Sequence, residues 1–187
     1  MTEVINFGVI GCGLMGREFA SSAARWLHLT DTRVRPEIVA VCDLKPALTG
    51  WFSENVPSVQ QVTDDHRALL DNDTVEAVYC AVPHNLHDQI HADILAAGKH
   101  LLGEKPFGID AAANSRIQAA IDAAPDRVVR CSSEMPYFPG EQKLINFVQS
   151  GDIGEIIEVE VAFLHSSDLN PEKPINWKRT VEINGAD

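Results

Sequence analysis

The run Gly11-x-Gly13-x-x-Gly16 constrains this chain more than any other feature, because of what stands on either side of it. Val4-Ile5-Asn6-Phe7-Gly8-Val9-Ile10 precedes it and reads as a buried strand; a helical stretch follows at once. In that setting the first glycine allows a tight turn. The second lets the backbone approach a pyrophosphate, and the third lets the helix pack against the sheet. Leu14 and Met15 open the helix, whose unpaired N–H groups and positive dipole end would face phosphates. A bare GxGxxG is a weak signal, and a tight βα turn without ligand is the bland reading. The flanking strand and helix make the pattern far more specific.

The rest of the first 133 residues keeps that alternation. Strand-like runs fall near 4–10, 37–42, 75–82, 99–103 and 127–132, with a weaker one near 58–62. Helix-like runs fall near 14–28, 46–54, 65–71, 86–97, 111–123 and 140–149. The first two strands are apolar on both faces, as parallel strands covered by helices must be. Asp64 or Asp65 can cap the helix ending near Leu70, and Gly98 suits the residue just past a helix end. The fold class expected is α/β: a Rossmann, doubly wound parallel sheet with right-handed crossovers.

Near residue 150 the pattern changes. After the turn Gly151-Asp152-Ile153-Gly154, residues 155 to 165 alternate, with Ile157, Val159, Val161 and Phe163 on one face and Glu158, Glu160, Ala162 and Leu164 on the other. This predicts a long strand ending at His165, belonging to an open antiparallel sheet. The chain is therefore expected to divide into residues 1–133, a dinucleotide-binding domain, and 134–187, the start of an incomplete α+β second domain. A lone strand forms no stable sheet, so either further chain or another subunit is expected to complete it.

Charge and cysteine usage narrow the partners. The formal net charge of −12 argues against nucleic acid or an anionic membrane. No apolar run approaches the roughly 20 residues that span a bilayer, and the N-terminus lacks the pattern of a signal peptide. Cys12, Cys42, Cys80 and Cys131 contain no CxxC pair. The last three fall in apolar strand-like runs, where buried free thiols are expected, with no metal site and a reducing cytoplasm as the compartment.

Asp43 ends the second strand, where an acid can accept the ribose hydroxyls of an adenosine half and would repel a 2′-phosphate. That favours NAD over NADP; Lys45 and Arg17, cations close by, keep NADP as the alternative. In such folds ligands lie beyond the carboxyl ends of the strands. Two of those ends carry unusual chemistry: Ala81-Val82-Pro83-His84-Asn85-Leu86-His87 and Gly103-Glu104-Lys105-Pro106.

Taken in order, these segments resemble the glucose–fructose oxidoreductase and inositol dehydrogenase family (Gfo/Idh/MocA). The shared features are the glycine loop, an acid after the second strand, a Pro-Asn-x-x-His-like loop and a Glu-Lys-Pro motif. Pro83-His84-Asn85-Leu86-His87 matches the loop with one extra residue, His84; Glu104-Lys105-Pro106 matches unchanged. Asn176-Trp177-Lys178 resembles a Trp segment, and Asn184-Gly185-Ala186-Asp187 the start of a glycine turn. Pro136 stands where members often carry an arginine, so that contact is absent.

The resemblance implies roles. Pro83 and Asn85 would shape the wall beside the nicotinamide ribose, with Val82 and Pro106 also cofactor-binding, and His87 would cap the following helix near the cofactor. Glu104 would face the nicotinamide side, and Lys105 would hydrogen-bond the reacting hydroxyl, stabilising developing alkoxide charge. The bond before Pro106 would be cis. A turn lysine paired with Glu104 is the bland reading of Lys105; a solvated loop histidine is the expected reading of His84.

The general acid/base histidine would lie after residue 187, with Asp187 preceding its acidic neighbour. The implied activity is NAD-dependent oxidation of a secondary alcohol on a sugar, cyclitol or polyol. This chain would supply the cofactor-binding part, be catalytically poor by itself, and homo-oligomerise through the second domain's sheet. The competing class is a non-catalytic dinucleotide-binding module or redox sensor completed by another subunit. An S-adenosylmethionine site is a third reading, against which Glu104-Lys105-Pro106 argues.

Overall fold

The computed structural model describes residues 2–164, 166 and 169–185. Six parallel strands form one sheet in the order β3-β2-β1-β4-β5-β6. They are β1 (Glu3–Ile10), β2 (Val34–Cys42), β3 (Gln61–Thr63), β4 (Ala77–Cys80), β5 (His100–Gly103) and β6 (Val129–Cys131). The crossovers carry α1 (Leu14–Ala24), α2 (Pro46–Asn55), α3 (His66–Leu70), α4 (His87–Ala96) and α5 (Ala111–Asp122). The expected doubly wound sheet is the one found. The strand order reverses between β1 and β4, which opens a crevice at their carboxyl ends.

The period-2 geometry of the strands divides the core into two layers. Val9, Val41 and Tyr79 pack with Ala20 and Phe52 beneath α1 and α2. Ile10, Cys42, Val78 and Cys80 pack with Leu69, Ile90, Ile94 and Leu101 under α3 and α4. The alternation slips once. Phe7 pairs with Ile38 and Gly8 with Ala40, so Val39 is an extra residue in β2. Such a bulge lets Val39 and Ala40 join the same layer.

Local signals account for the helix starts. Asp65, one of the two acids expected to cap α3, accepts the Arg67 N–H at 2.9 Å. Asp110 does the same for α5, accepting from Ala113 N–H at 2.6 Å. The first helix ends earlier than its sequence suggests, because residues Arg25–His28 tighten into a 3-10 turn. Among the described residues, no helix is long and apolar enough to cross a membrane.

Two expectations are corrected. No strand forms over residues 155–164; its apolar positions face outward, with Ile157 97% exposed. Alternation prepares a segment for one face of a sheet, but a strand exists only when a neighbour takes up its N–H and C=O groups. His165, its expected end, lies outside the described residues. The second correction is Cys131, which is exposed while Cys12, Cys42 and Cys80 are buried. It closes β6, a three-residue edge strand with only β5 beside it among the described residues. Before the alternating segment comes α6 (Pro139–Gln149), an amphipathic helix none of whose residues is buried. A short helix, α7 (Val181–Asn184), follows at the far end.

Candidate functional site

The crevice between β1 and β4 is built first from backbone. Gly11 has φ 96° and donates its N–H to the Cys42 carbonyl at 2.9 Å. A side chain there would strike the Ala81 carbonyl, so only glycine lets the ends of β1, β2 and β4 meet. Gly16 sits equally close to the Gly11 carbonyl, which draws α1 onto the loop. Nothing lies within 4 Å of a side chain placed at Gly13. The three glycines thus divide their work: two are packed, and the middle one presents an open backbone face. Gly13 is also the N-cap of α1 and offers no side-chain acceptor, so the first N–H groups of the helix stay uncapped. Leu14 and Met15 are exposed beside it.

Asp43 stands at the end of β2 and is half-buried. Its Oδ2 accepts the Cys12 N–H at 2.9 Å and its Oδ1 the Lys45 N–H at 2.9 Å. The carboxylate is therefore fixed against the glycine loop, and each oxygen keeps a second lone pair. Burial, with the Asp43 charge adding to it, pushes the Cys12 thiol up to about 12, so this thiol is inert. Of the two cations near this corner, Arg17 lies over the Trp51 ring, 5.9 Å from its centroid, and Lys45 is exposed.

The loop after β4 and the turn after β5 are joined by one side chain. His87 is fully buried; its Nδ1 lies 2.8 Å from the Pro106 carbonyl oxygen and its Nε2 3.0 Å from that of Val82. A carbonyl only accepts, so the ring nitrogen that carries the proton donates to one of these loops while the ring bridges both. It does not cap α4, contrary to expectation: the ring is turned across the crevice wall and away from the helix's own N–H groups. Pro83 and Asn85 are left exposed on the surface of that wall, with Val82 partly covered.

Behind His87 lies His91, whose ring stacks on it at 4.9 Å and meets Phe107 at 4.9 Å. Neither ring nitrogen of His91 has a hydrogen-bond partner among the described residues. Burial, with the neighbouring His87 opposing a second charge, pushes its pKa down to about 3.

Glu104 and Lys105 diverge in space although adjacent in sequence. Glu104 is 6% exposed; its Oε1 accepts the Tyr79 hydroxyl at 2.7 Å and its Oε2 the Lys105 N–H at 3.3 Å. Burial and the hydrogen bond to Glu104 push the Tyr79 phenol up, so it donates and stays neutral. The Lys105 side chain is exposed and has no hydrogen-bond or ion-pair partner among the described residues. Pairing with Glu104 is thus not what holds it. The Lys105–Pro106 bond is cis, as expected.

The residue the sequence undervalued is His84. It is not a solvated loop histidine. Its Nδ1 donates to Asn184 Oδ1 at 2.6 Å, and its ring meets the Trp177 ring edge-on at 4.9 Å. The partners are about a hundred residues away, so no local pattern could reveal them. Asn176 caps the turn that carries Trp177, accepting the Lys178 N–H at 2.9 Å. Gly185 then backs onto the Ile109 carbonyl, with no room for a side chain. Residues 177–185 therefore lie against the loops after β4 and β5. Ala186 and Asp187 are outside the described residues. Among the described residues, no three His, Cys, Asp or Glu side chains gather as a metal set.

Known proteins place this geometry. The chain is 25% identical over 185 residues to levoglucosan dehydrogenase of Pseudarthrobacter phenanthrenivorans, covering 97% of this chain and 46% of that protein. It is 28% identical over 179 residues to inositol 2-dehydrogenase of Pseudomonas fluorescens, covering 96% and 50% respectively. The chain thus spans about half the length of the curated relatives it matches. Among solved structures, an oxidoreductase domain protein from Kribbella flavida superposes with a TM-score of 0.90 at 24% identity, over 100% of this chain and 50% of that one. Levoglucosan dehydrogenase in complex with NADH and levoglucosan does so with a TM-score of 0.85 at 21% identity, over 98% and 50%. At those identities the likeness is one of fold. The family model for an oxidoreductase family with an NAD-binding Rossmann fold matches residues 5–131, which holds the glycine loop, Asp43, the wall loop and the Glu-Lys-Pro turn. The chain belongs to that family, Gfo/Idh/MocA, and contains its NAD-binding domain.

Proposed function

We propose that this chain forms the cofactor half of an NAD-dependent dehydrogenase that oxidises a secondary alcohol of a sugar, cyclitol or related polyol. The observation carrying the reading is the exposed, unpaired Lys105 ammonium at the crevice beside an open glycine loop. The relatives' names, levoglucosan dehydrogenase and inositol 2-dehydrogenase, support the substrate class.

The residues suit NAD. Gly11, Gly13 and Gly16 leave an open backbone face, and the uncapped start of α1 at Leu14 and Met15 suits a pyrophosphate. Asp43 offers its spare lone pairs to the ribose hydroxyls, which favours NAD over NADP. Val82, Pro83 and Asn85 line the nicotinamide ribose side. His87 and Pro106 fix that wall to the β5 turn, and Glu104 anchors the turn from below through Tyr79. When bound, NAD supplies the hydride acceptor. Lys105 donates to the substrate hydroxyl and stabilises negative charge as its proton leaves. A histidine supplied from outside these residues would take the proton.

Residues 1–133 are proposed as the dinucleotide-binding domain and 134–187 as the beginning of a substrate and oligomerisation domain. The outward apolar face of 155–164 supports homo-oligomers built on a sheet that this segment joins. The same face supports the runner-up, a non-catalytic dinucleotide-binding module completed by another subunit. The three buried free thiols and the acidic surface support a cytoplasmic protein whose partners are small molecules and not nucleic acid or membrane.

The test is NADH formation by the natural full-length product with inositols, levoglucosan and other polyols, for wild type and Lys105→Ala. Lys105→Ala should cut kcat by roughly 100-fold or more with NADH affinity kept. An unchanged rate removes Lys105 from the mechanism. Absence of turnover with every polyol favours the binding module.

A further inference from the structure

We propose that His84 contacts the substrate and sets specificity: its Nε2 accepts a hydrogen bond from a polyol hydroxyl neighbouring the one that Lys105 engages. The inference rests on the dehydrogenase reading above and names how that site reads its substrate.

The ring is held as a binding group would be. Its Nδ1 faces Asn184 Oδ1 at 2.6 Å, its edge meets Trp177 at 4.9 Å, and it tilts against His87 at 5.3 Å. A carboxamide oxygen only accepts, so Nδ1 carries the ring proton. Burial lowers the His84 pKa, the Asn184 hydrogen bond acts against that, and the charges of His87, Lys105 and Lys178 lower it further. The neutral ring then keeps its lone pair on Nε2. That nitrogen has no hydrogen-bond partner among the described residues. Orienting a ring with three contacts costs side-chain entropy, and here it leaves a fixed acceptor at the mouth of the crevice.

The surroundings decide what the acceptor takes. Lys105 follows β5, the strand paired with β4, and Lys178 lies with its ammonium 5.6 Å from the centroid of the Trp177 ring. Both are donors only. A hydroxyl both donates and accepts, so adjacent hydroxyls of a polyol can satisfy an ammonium and Nε2 together. A ketone or ether at the second carbon would leave Nε2 facing another lone pair. The site therefore selects a vicinal diol, and Asn184 and Trp177 act on it as positioning residues by fixing the ring.

The test uses the natural full-length product. Steady-state kinetics with NAD are measured on myo-inositol, scyllo-inositol, levoglucosan and the quercitols, which are inositols lacking one hydroxyl. His84→Leu should raise KM for the fully hydroxylated substrate roughly 10-fold. It should leave NADH affinity unchanged and have little effect on the quercitol that lacks the neighbouring hydroxyl. His84→Gln, whose carboxamide oxygen also accepts, should recover part of the loss. An equal KM change on the inositol and on every quercitol overturns the proposal and makes the ring a structural prop. No change with any substrate overturns it too. Wild type inactive on all of these polyols would instead remove the dehydrogenase reading, and this inference with it.

Discussion

Asp43 carries two loads. It holds the glycine loop through the Cys12 N–H, and it stands where ribose hydroxyls would come. Substitution by asparagine separates them, because a carboxamide oxygen still accepts from Cys12 but the negative charge is gone. Asp43→Asn should weaken NADH binding roughly 10-fold and NADPH binding less, read by fluorescence titration. Equal losses would confine Asp43 to the loop. His91 makes a different kind of prediction. Its pKa falls from the ordinary 6.5 to about 3 in the folded chain, so between those values only the unfolded chain binds the proton. Its contribution is fully present above about pH 6.5 and declines by about 1.4 kcal/mol per pH unit as the pH falls toward 3. Chemical denaturation at a series of pH values should show that slope, and His91→Leu should flatten it. Sequence made Asp43 and Lys105 visible because each sits at a strand end beside a motif. It could not show that Glu104 turns inward onto Tyr79, since that contact crosses two strands that each read simply as apolar.

Elements were legible where local and tertiary demands agree. Buried strands and capped helices announce themselves: Asp65 caps α3 as one of the two acids expected to, and the β1 and β2 runs form strands as expected. Boundaries shifted where neighbours intervene, as in the shortening of the fourth strand to Ala77–Cys80. The alternating segment after residue 154 is the informative failure. Its pattern is a correct statement about a face, but pairing is a property of two segments, and only one is here. In this 187-residue chain, amides of residues 155–162 should exchange with solvent without protection, while those of β1 and β4 exchange slowly. Slow exchange across 155–162, measured by mass spectrometry on dilute protein, would mean that the segment has found a partner within the chain.

At the scale of the molecule, all six strands and both core layers lie before residue 132, whereas α6 and the segment after it bury little. A chain ending at residue 133 should therefore unfold in one cooperative step and bind NADH within about threefold of the longer chain. Loss of the cooperative melt would show that later residues are part of the first core. The contact between His84 and Asn184 spans 100 positions of sequence. A ribosome adding about 5–20 residues per second releases the second partner roughly 5–20 s after the first. Once Lys105 has followed, 21 residues after His84, the nascent chain holds the glycine-loop and Lys105 segments while the mouth of the crevice is still unbuilt. The segments proposed to hold the dinucleotide are therefore made well before the histidine that we assign to the substrate can be set in place.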